Sequence, residues 1–484
     1  MRTSRKNVAF PMDSEVGDKK KRLHLKREVG LFSAVSLIAG TMIGSGIFMS
    51  PEWVLYYMGS PGGSLIIWAA CGLLVMLISL CYAEIGTIIT ESGGEYIYLL
   101  RIFGPLPAFL LMYTSVFVVR PAGIAGVSLS FAQYVTAPFY QSCSSPQSVV
   151  KCTAAACVLV LLIVNTLNVK LATTIHNIFT AAKVIALMII VVGGIILLAN
   201  GHFRNLQNAF HGTVTGFGPV GTAFYQGLWS FDGWNNLNYV TEELQNPHVN
   251  LPRALMIAVP LVTILYVLVN VSYFAAMTPV ELLSSEAVAV TWGNKVLANW
   301  MWLIPLSVAL STFGSVNGTF FTGGRVCYVA AREGHMFEIM SMIQVRRLTP
   351  SPALIFTALI ALIMIAAGDF HTIVNYVSFT AWMCYGLILV GILYLRYKKP
   401  DIPRPCKVPI VIPVIVLIVA IYLVLAPIID SPQTEYIFVI FFILSGIIFY
   451  LPLIHFKLHP GFMSTITLHL QLLLDVAPAD EDVN

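Results

Sequence analysis

Two short stretches of this chain carry the residue types that could build a polar site inside an apolar surround. Residues 40–46 read Gly-Thr-Met-Ile-Gly-Ser-Gly, and residues 227–235 read Gly-Leu-Trp-Ser-Phe-Asp-Gly-Trp-Asn. Each interrupts a long apolar run. Glycines there can simply let helices pack closely. Two such clusters, each with polar residues, read instead as helix breaks that free backbone N–H and C=O groups for a ligand. Asp232 has the most chemical content, because a carboxylate in such a run is costly unless paired or wet. Two partners are open to it: Arg120, in a fixed salt bridge, or a cation that a ligand brings. Lys183, in Phe179-Thr-Ala-Ala-Lys183, is another charge isolated among apolar residues. Cys143 stands in the polar loop Gln141-Ser-Cys143-Ser-Ser-Pro146, whereas most of the other cysteines sit in apolar runs as small hydrophobes.

The elements that hold these residues must be membrane helices. The chain has 484 residues, of which only 10% are charged and 57% hydrophobic. Its mean hydropathy is +0.82. A soluble protein carries about a quarter charged residues, so most of this surface faces something other than water. That excludes a cytosolic enzyme, a nucleic-acid binder and a disordered scaffold. With about 20 apolar residues needed per crossing, twelve spans are expected, near 31–57, 64–90, 106–133, 150–168, 173–200, 217–241, 254–277, 301–330, 352–368, 372–395, 409–428 and 435–456. Lipid offers backbone amides no partner, and these runs are too long for barrel strands, so the class is all-α.

Lysine and arginine set the orientation. With the N-terminus inside, only Lys151, Arg204 and Lys295 of the 27 fall in outside loops, and Arg120 and Lys183 lie within spans. Both termini are therefore expected in the cytoplasm, and the Cys143 loop outside. A thiol in that oxidising compartment reads as half of an intermolecular disulfide. The basic tail 1–30, with Lys19-Lys20-Lys21-Arg22, is a solvated segment beside anionic lipid. The broken spans, first and sixth, lie five spans apart, which predicts inverted five-helix repeats over 31–200 and 201–395. Two further helices (396–456) and a tail (457–484) follow, the tail being amphipathic near 466–476.

Other patterns carry no function. Gly216-Phe-Gly218-Pro-Val-Gly221 fits a dinucleotide fingerprint by letter only, since no βαβ unit surrounds it. His455 and His459 have helical spacing without an acidic partner, so no metal site or cofactor is expected. No nucleophile elbow, phosphate loop or zincin motif is present, and catalysis is not expected. A channel would need a continuous polar pore, whereas the intramembrane charges here gather at one level.

Several motifs resemble a known family. Gly40-Thr-Met-Ile-Gly-Ser-Gly-Ile-Phe-Met-Ser-Pro51 is similar to the first-helix signature of the amino acid–polyamine–organocation transporters. Ser92-Gly-Gly-Glu-Tyr-Ile-Tyr98 with Phe103-Gly-Pro resembles their re-entrant loop after the second helix. The stretch 227–244, Arg332-Glu-Gly-His335 and Arg346-Arg-Leu-Thr-Pro-Ser-Pro352 resemble the light subunits of heteromeric amino-acid transporters, in particular the branch that exchanges cystine and dibasic amino acids for neutral ones.

The resemblance implies a sodium-independent antiporter of the plasma membrane, apical in epithelium, with a neutral- or aromatic-preferring exchanger as the alternative. It assigns the substrate carboxylate to Ser45 and Gly46, and its ammonium to the carbonyls of Met42, Trp229 and Ser230. Ile43, Gly44, Phe231 and Asn235 complete the two binding stretches. In the cystine and dibasic branch an Asp at position 232 faces the substrate's distal cation. Trp229 becomes an aromatic lid, Lys183 takes the place of a sodium ion, and Cys143 bonds a single-span glycoprotein heavy chain. Ala381 stands where the cystine–glutamate exchanger has a second Arg, which argues against glutamate.

Overall fold

The computed structural model describes residues 29–478, apart from 92, 141–144, 168, 240, 242–243, 286, 348, 431–433 and 457–460. Cys143, His459 and the cluster at 19–22 thus lie outside the described residues. Among the rest, helical segments stand at all twelve expected spans, and the protein is a polytopic helical membrane protein.

Span 1 is Leu31–Met42 followed by Gly46–Met58, bent by 51° at the break. Span 2 (Pro61–Ile88) starts sharply because Pro61 fits the first turn and the Ser60 hydroxyl accepts the Gly63 amide at 3.1 Å. Span 3 runs Pro105–Thr114, a π-helical turn Ser115–Val119 and Arg120–Thr136. Pro121 explains that turn: it lacks an N–H and would clash with the carbonyl four residues back, so the helix widens just before it. Arg120 is set at this junction.

Span 4 is Gln147–Leu167 and span 5 is Val169–Ala199. Span 6 is helical only over Phe217–Trp229, then passes through turns into a short 3-10 segment, Asn236–Tyr239. Span 7 (Pro247–Ala276) begins earlier than hydropathy predicts, because Pro247 opens a polar first turn that an apolar count misses. Spans 8 to 10 are Leu303–Arg332, Ser351–Ala367 and Phe370–Lys398, and spans 11 and 12 are Val411–Asp430 and Thr434–Tyr450. Asp369 caps span 10 by accepting the Thr372 amide at 2.9 Å.

Span 7 packs on spans 1, 2 and 5, and span 8 packs on spans 3 and 5. Outward faces of spans 4 and 5 carry exposed Leu159, Ile163, Ile185 and Ile195, as lipid contact requires. At the Lys- and Arg-rich end, called the basic end below, a helix after span 2 (Gly94–Phe103) folds back under the bundle with Glu95 and Tyr98 buried. The tail forms the helix Gly461–Leu474 with Ile466, Leu468 and Leu472 exposed. Among the described residues one two-stranded ribbon stands apart from the helices. Strand β1 (Met342–Gln344) pairs antiparallel with β2 (Val476–Pro478), which ties the tail to the connection after span 8.

Candidate functional site

The two breaks meet. A Cβ added at Gly46 would lie 2.5 Å from the Ser230 Cα, so only glycine lets the second half of span 1 cross the end of the span 6 helix. Gly233, with φ +99, sits against Thr41, and the Thr41 hydroxyl donates to the Gly233 carbonyl at 3.2 Å. The second half of span 1 begins at Gly46, so its first amides have no carbonyl partner within the helix and aim the positive end of its dipole at the crossing. Ser45 stands at that helix start, only 2% exposed, and its hydroxyl makes no capping bond there.

Tyr266 of span 7 locks the crossing from behind. Its hydroxyl lies 2.7 Å from the Met42 carbonyl and 2.9 Å from the Ser230 carbonyl, so one donor is shared by the ends of both first halves. Those are two of the three carbonyls expected to receive a substrate ammonium. Each carbonyl oxygen has two lone pairs and keeps one for a further donor. The third, of Trp229, accepts the Asp232 amide at 3.2 Å.

Asp232 leaves the turn on the other side of the crossing. It is exposed, whereas its neighbours Phe231 and Gly233 are buried. Half-buried Gly123 of span 3 lies against Thr319 of span 8, a Cβ on Gly123 being 3.5 Å from the Thr319 methyl, and Ser315, Thr319 and Thr322 follow one another on one face of span 8. Ser315 reaches the first break, its hydroxyl 3.8 Å from a Cβ placed at Gly44. Thr322, nearest the basic end, is exposed. At the opposite end the Trp229 ring closes against Gly126 of span 3 and lies 6.1 Å from the Phe370 ring of span 10.

Arg120 does not pair with Asp232. The ion pairs among the described residues are Arg101–Glu91, Lys295–Glu281, Arg346–Asp475, Arg396–Glu84 and Arg404–Glu84. Arg120 instead donates to the Tyr239 hydroxyl at 3.2 Å, with its guanidinium 5.5 Å from that ring's centre. An accessible acid at a double helix break, without a fixed counter-ion, suits a ligand that carries its own cation.

The amino acid permease family matches residues 29–450. The b(0,+)-type amino acid transporter 1 of Homo sapiens is 52% identical over 464 residues, covering 96% of this chain and 95% of the relative. The Asc-type amino acid transporter 1 of Mus musculus is 45% identical over 434 residues, 89% of this chain and 82% of its own. The large neutral amino acids transporter small subunit 2 of Mus musculus is 46% identical over 411 residues, 84% of this chain and 77% of its own. The chain belongs to the amino acid permease family. It is a transporter and not an enzyme.

Within this permease the expected site residues fall into two groups. Met42, Gly44, Ser45, Gly46, Trp229, Ser230 and Asp232 gather at or beside the crossing, and Ile43 lies buried in the same break. Phe231 and Asn235 turn elsewhere. The Phe231 ring packs 5.0 Å from Tyr266 and 6.4 Å from Trp68, which makes it core. The Asn235 amide donates to Glu95 at 2.5 Å. Lys183, 1% exposed, donates to the Gly40 carbonyl at 3.4 Å and so braces span 5 against span 1. Spans 5 and 8 also meet, Phe179 lying where a Cβ on Gly314 would be.

Sequence reasoning missed Tyr266, Glu95 and Tyr239. Tyr266 stands in the apolar run Leu265-Tyr266-Val267 and has no polar neighbour to mark it. Glu95 lies inside a recognised loop motif, but nothing local shows that the loop folds back into the bundle.

Proposed function

We propose that this permease is a sodium-independent antiporter that takes up cationic amino acids and cystine in exchange for neutral amino acids by alternating access. The observation that carries the reading is Asp232, an accessible carboxylate beside the helix crossing and outside the ion pairs of the described residues. The unsatisfied amides that open the second half of span 1 take the substrate carboxylate, and the carbonyls of Met42, Trp229 and Ser230 take its ammonium. Asp232 then faces the distal ammonium or guanidinium. The high identity to b(0,+)-type transporters supports that assignment. Lys183 on the Gly40 carbonyl supplies a fixed charge beside span 1, in keeping with transport that needs no sodium.

Meeting of the two breaks supports 31–200 and 201–395 as inverted repeats that rock about the crossing, with 396–456 added. The partner is a single-span glycoprotein heavy chain joined through Cys143, as befits a chain similar to transporter subunits. The site of action is the plasma membrane, apical in epithelium, with both termini in the cytoplasm.

Proteoliposomes holding leucine inside and offered arginine, cystine, leucine, tyrosine or glutamate outside test this reading. Arginine entry should rise with internal leucine, proceed without sodium and carry inward current. Exchange of arginine for a neutral amino acid moves one positive charge, worth about 2.3 kcal/mol per 100 mV. Electroneutral exchange confined to leucine and tyrosine would favour the neutral reading, and unitary currents without exchange would mean a channel.

A further inference from the structure

A polar chain crosses the bundle at the end opposite the basic end. Span 10 runs from His371 in its first turn to Arg396 and Lys398, so His371 marks that far end. The His371 Nε2 lies 2.6 Å from the Tyr57 hydroxyl, near the close of span 1, and 3.3 Å from the Asn375 amide nitrogen one turn along span 10. The Asn375 Oδ1 in turn accepts the Gln226 amide of span 6 at 2.9 Å. Rings hold the imidazole as well: Trp53 of span 1 lies 4.2 Å away, and the Tyr57 ring is stacked at 5.8 Å. Gln226 and Asn375 are both buried.

The same helices carry the rings that close this end. Gln226 stands one turn before Trp229 on the first half of span 6, and His371 follows Phe370 on span 10. Trp229 rests on Gly126 of span 3, and Ile373 of span 10 reaches the same spot, 3.5 Å from a Cβ placed on Gly126. The helix that bears Trp229 is thus fastened to span 10 through Gln226 and Asn375. The second half of span 1 is fastened to it through Tyr57 and His371. Packed helices shift as bodies, so neither broken span can swing away from span 10 here with the chain intact.

We propose that Tyr57, His371, Asn375 and Gln226 form a latch at the end opposite the basic end, closed in this structure and parted whenever substrate passes there. His371 is its centre, a positioning residue that touches no substrate. The proposal rests on the reading of exchange by alternating access. Parting the chain takes buried amides from their partners, so the latch sets the balance between the two facing states rather than the affinity of the site. Weakening it favours the state open at His371, and apparent affinity at each face follows the fraction of molecules open there. Arginine and leucine feel that fraction equally, because the latch reads no substrate side chain.

Sided half-saturation tests this, measured for both substrates in right-side-out and inside-out membrane vesicles that hold the full chain. Tyr57→Phe keeps the ring and removes the hydroxyl. At the His371 face, half-saturation should fall about threefold to tenfold for arginine and leucine alike, the effect of one neutral hydrogen bond. At the basic face it should hold or rise. His371→Leu should act the same way, and adding Tyr57→Phe to it should change little more, because the bond between them is already gone. If His371→Leu does not fold, Tyr57→Phe carries the test alone. Losses of similar size at both faces would reduce the cluster to packing and overturn the proposal. So would a change confined to arginine, or unaltered half-saturation at both faces. The parent chain separates the two levels. If it exchanges and the variants leave its sidedness unchanged, only the latch falls; if internal amino acid does not accelerate its uptake, the exchange reading falls and the latch with it.

Discussion

The two interrupted spans are broken in different ways. Span 1 stops at Met42 and resumes as a regular helix at Gly46, so its break spends three residues and yields a new helix start. Span 6 stops at Trp229 and returns only as the short 3-10 segment Asn236–Tyr239. A resumed helix offers backbone amides and a dipole, which suit the carboxylate that every amino acid shares. An unwound turn offers side chains instead, and here it offers Asp232. Under the proposed function the difference becomes a division of labour: the substrate carboxylate falls to span 1, its ammonium to the carbonyls of both breaks, and its variable end to span 6.

The largest expected effect comes from wedging the crossing apart. Gly46→Val places carbon where Ser230 already is. Overpacking of this kind costs about 1–3 kcal/mol, and exchange of arginine and leucine should both fall at least about tenfold, since both halves of the site depend on it. A variant that spared leucine would break the comparison. Tyr266→Phe comes next. It removes the hydroxyl shared by the Met42 and Ser230 carbonyls and should cost about 1–2 kcal/mol, read as a fall in transport for all substrates without a change in the arginine-to-leucine ratio.

Much of this was legible in the sequence. The glycine spacing at 40–46 and 227–235 marked both breaks, because glycine and polar residues in a lipid-facing run have few other uses. The contacts that complete the site were not legible, because they are made across the bundle: Tyr266 reaches back to Met42, over two hundred positions earlier, and Glu95 meets Asn235, and Gly94 the Tyr239 ring, only once a loop helix folds inward. Phe231 misled for a related reason, since adjacent residues in an unwound turn point in opposite directions. The tail strand β2 also escaped notice, because three residues pairing at a bundle's edge leave no periodic signal.

Residues far from both breaks set the floor of the comparison. Cys143→Ser should abolish a high-mass band on non-reducing gels while leaving exchange in proteoliposomes within about twofold, a difference of under ~0.5 kcal/mol. Loss of exchange with the band retained would contradict the proposed disulfide. Smaller still is the pair in the loop after span 7. Hydrogen bonding to Lys295, with further bonds from Thr278, holds the exposed Glu281 carboxyl down from 4.5 to about 2. A lowered value means that the paired form stabilises the loop above about 4.5 and is lost as pH falls towards about 2. Glu281→Gln should therefore shift thermal stability by under ~1 kcal/mol at neutral pH and leave exchange between pH 6 and pH 8 flat, measured by melting curves and uptake.

The division of labour is tested most directly at Asp232. Arginine and leucine half-saturation would be measured side by side in proteoliposomes containing Asp232→Asn. Losing a desolvated, charge-assisted contact costs about 1.5–3 kcal/mol, so arginine should weaken about 10- to 150-fold. Leucine, with no distal charge, should hold or improve, and the inward current of arginine–leucine exchange should shrink with arginine occupancy. Equal losses for the two substrates would contradict the account and return Asp232 to a structural role.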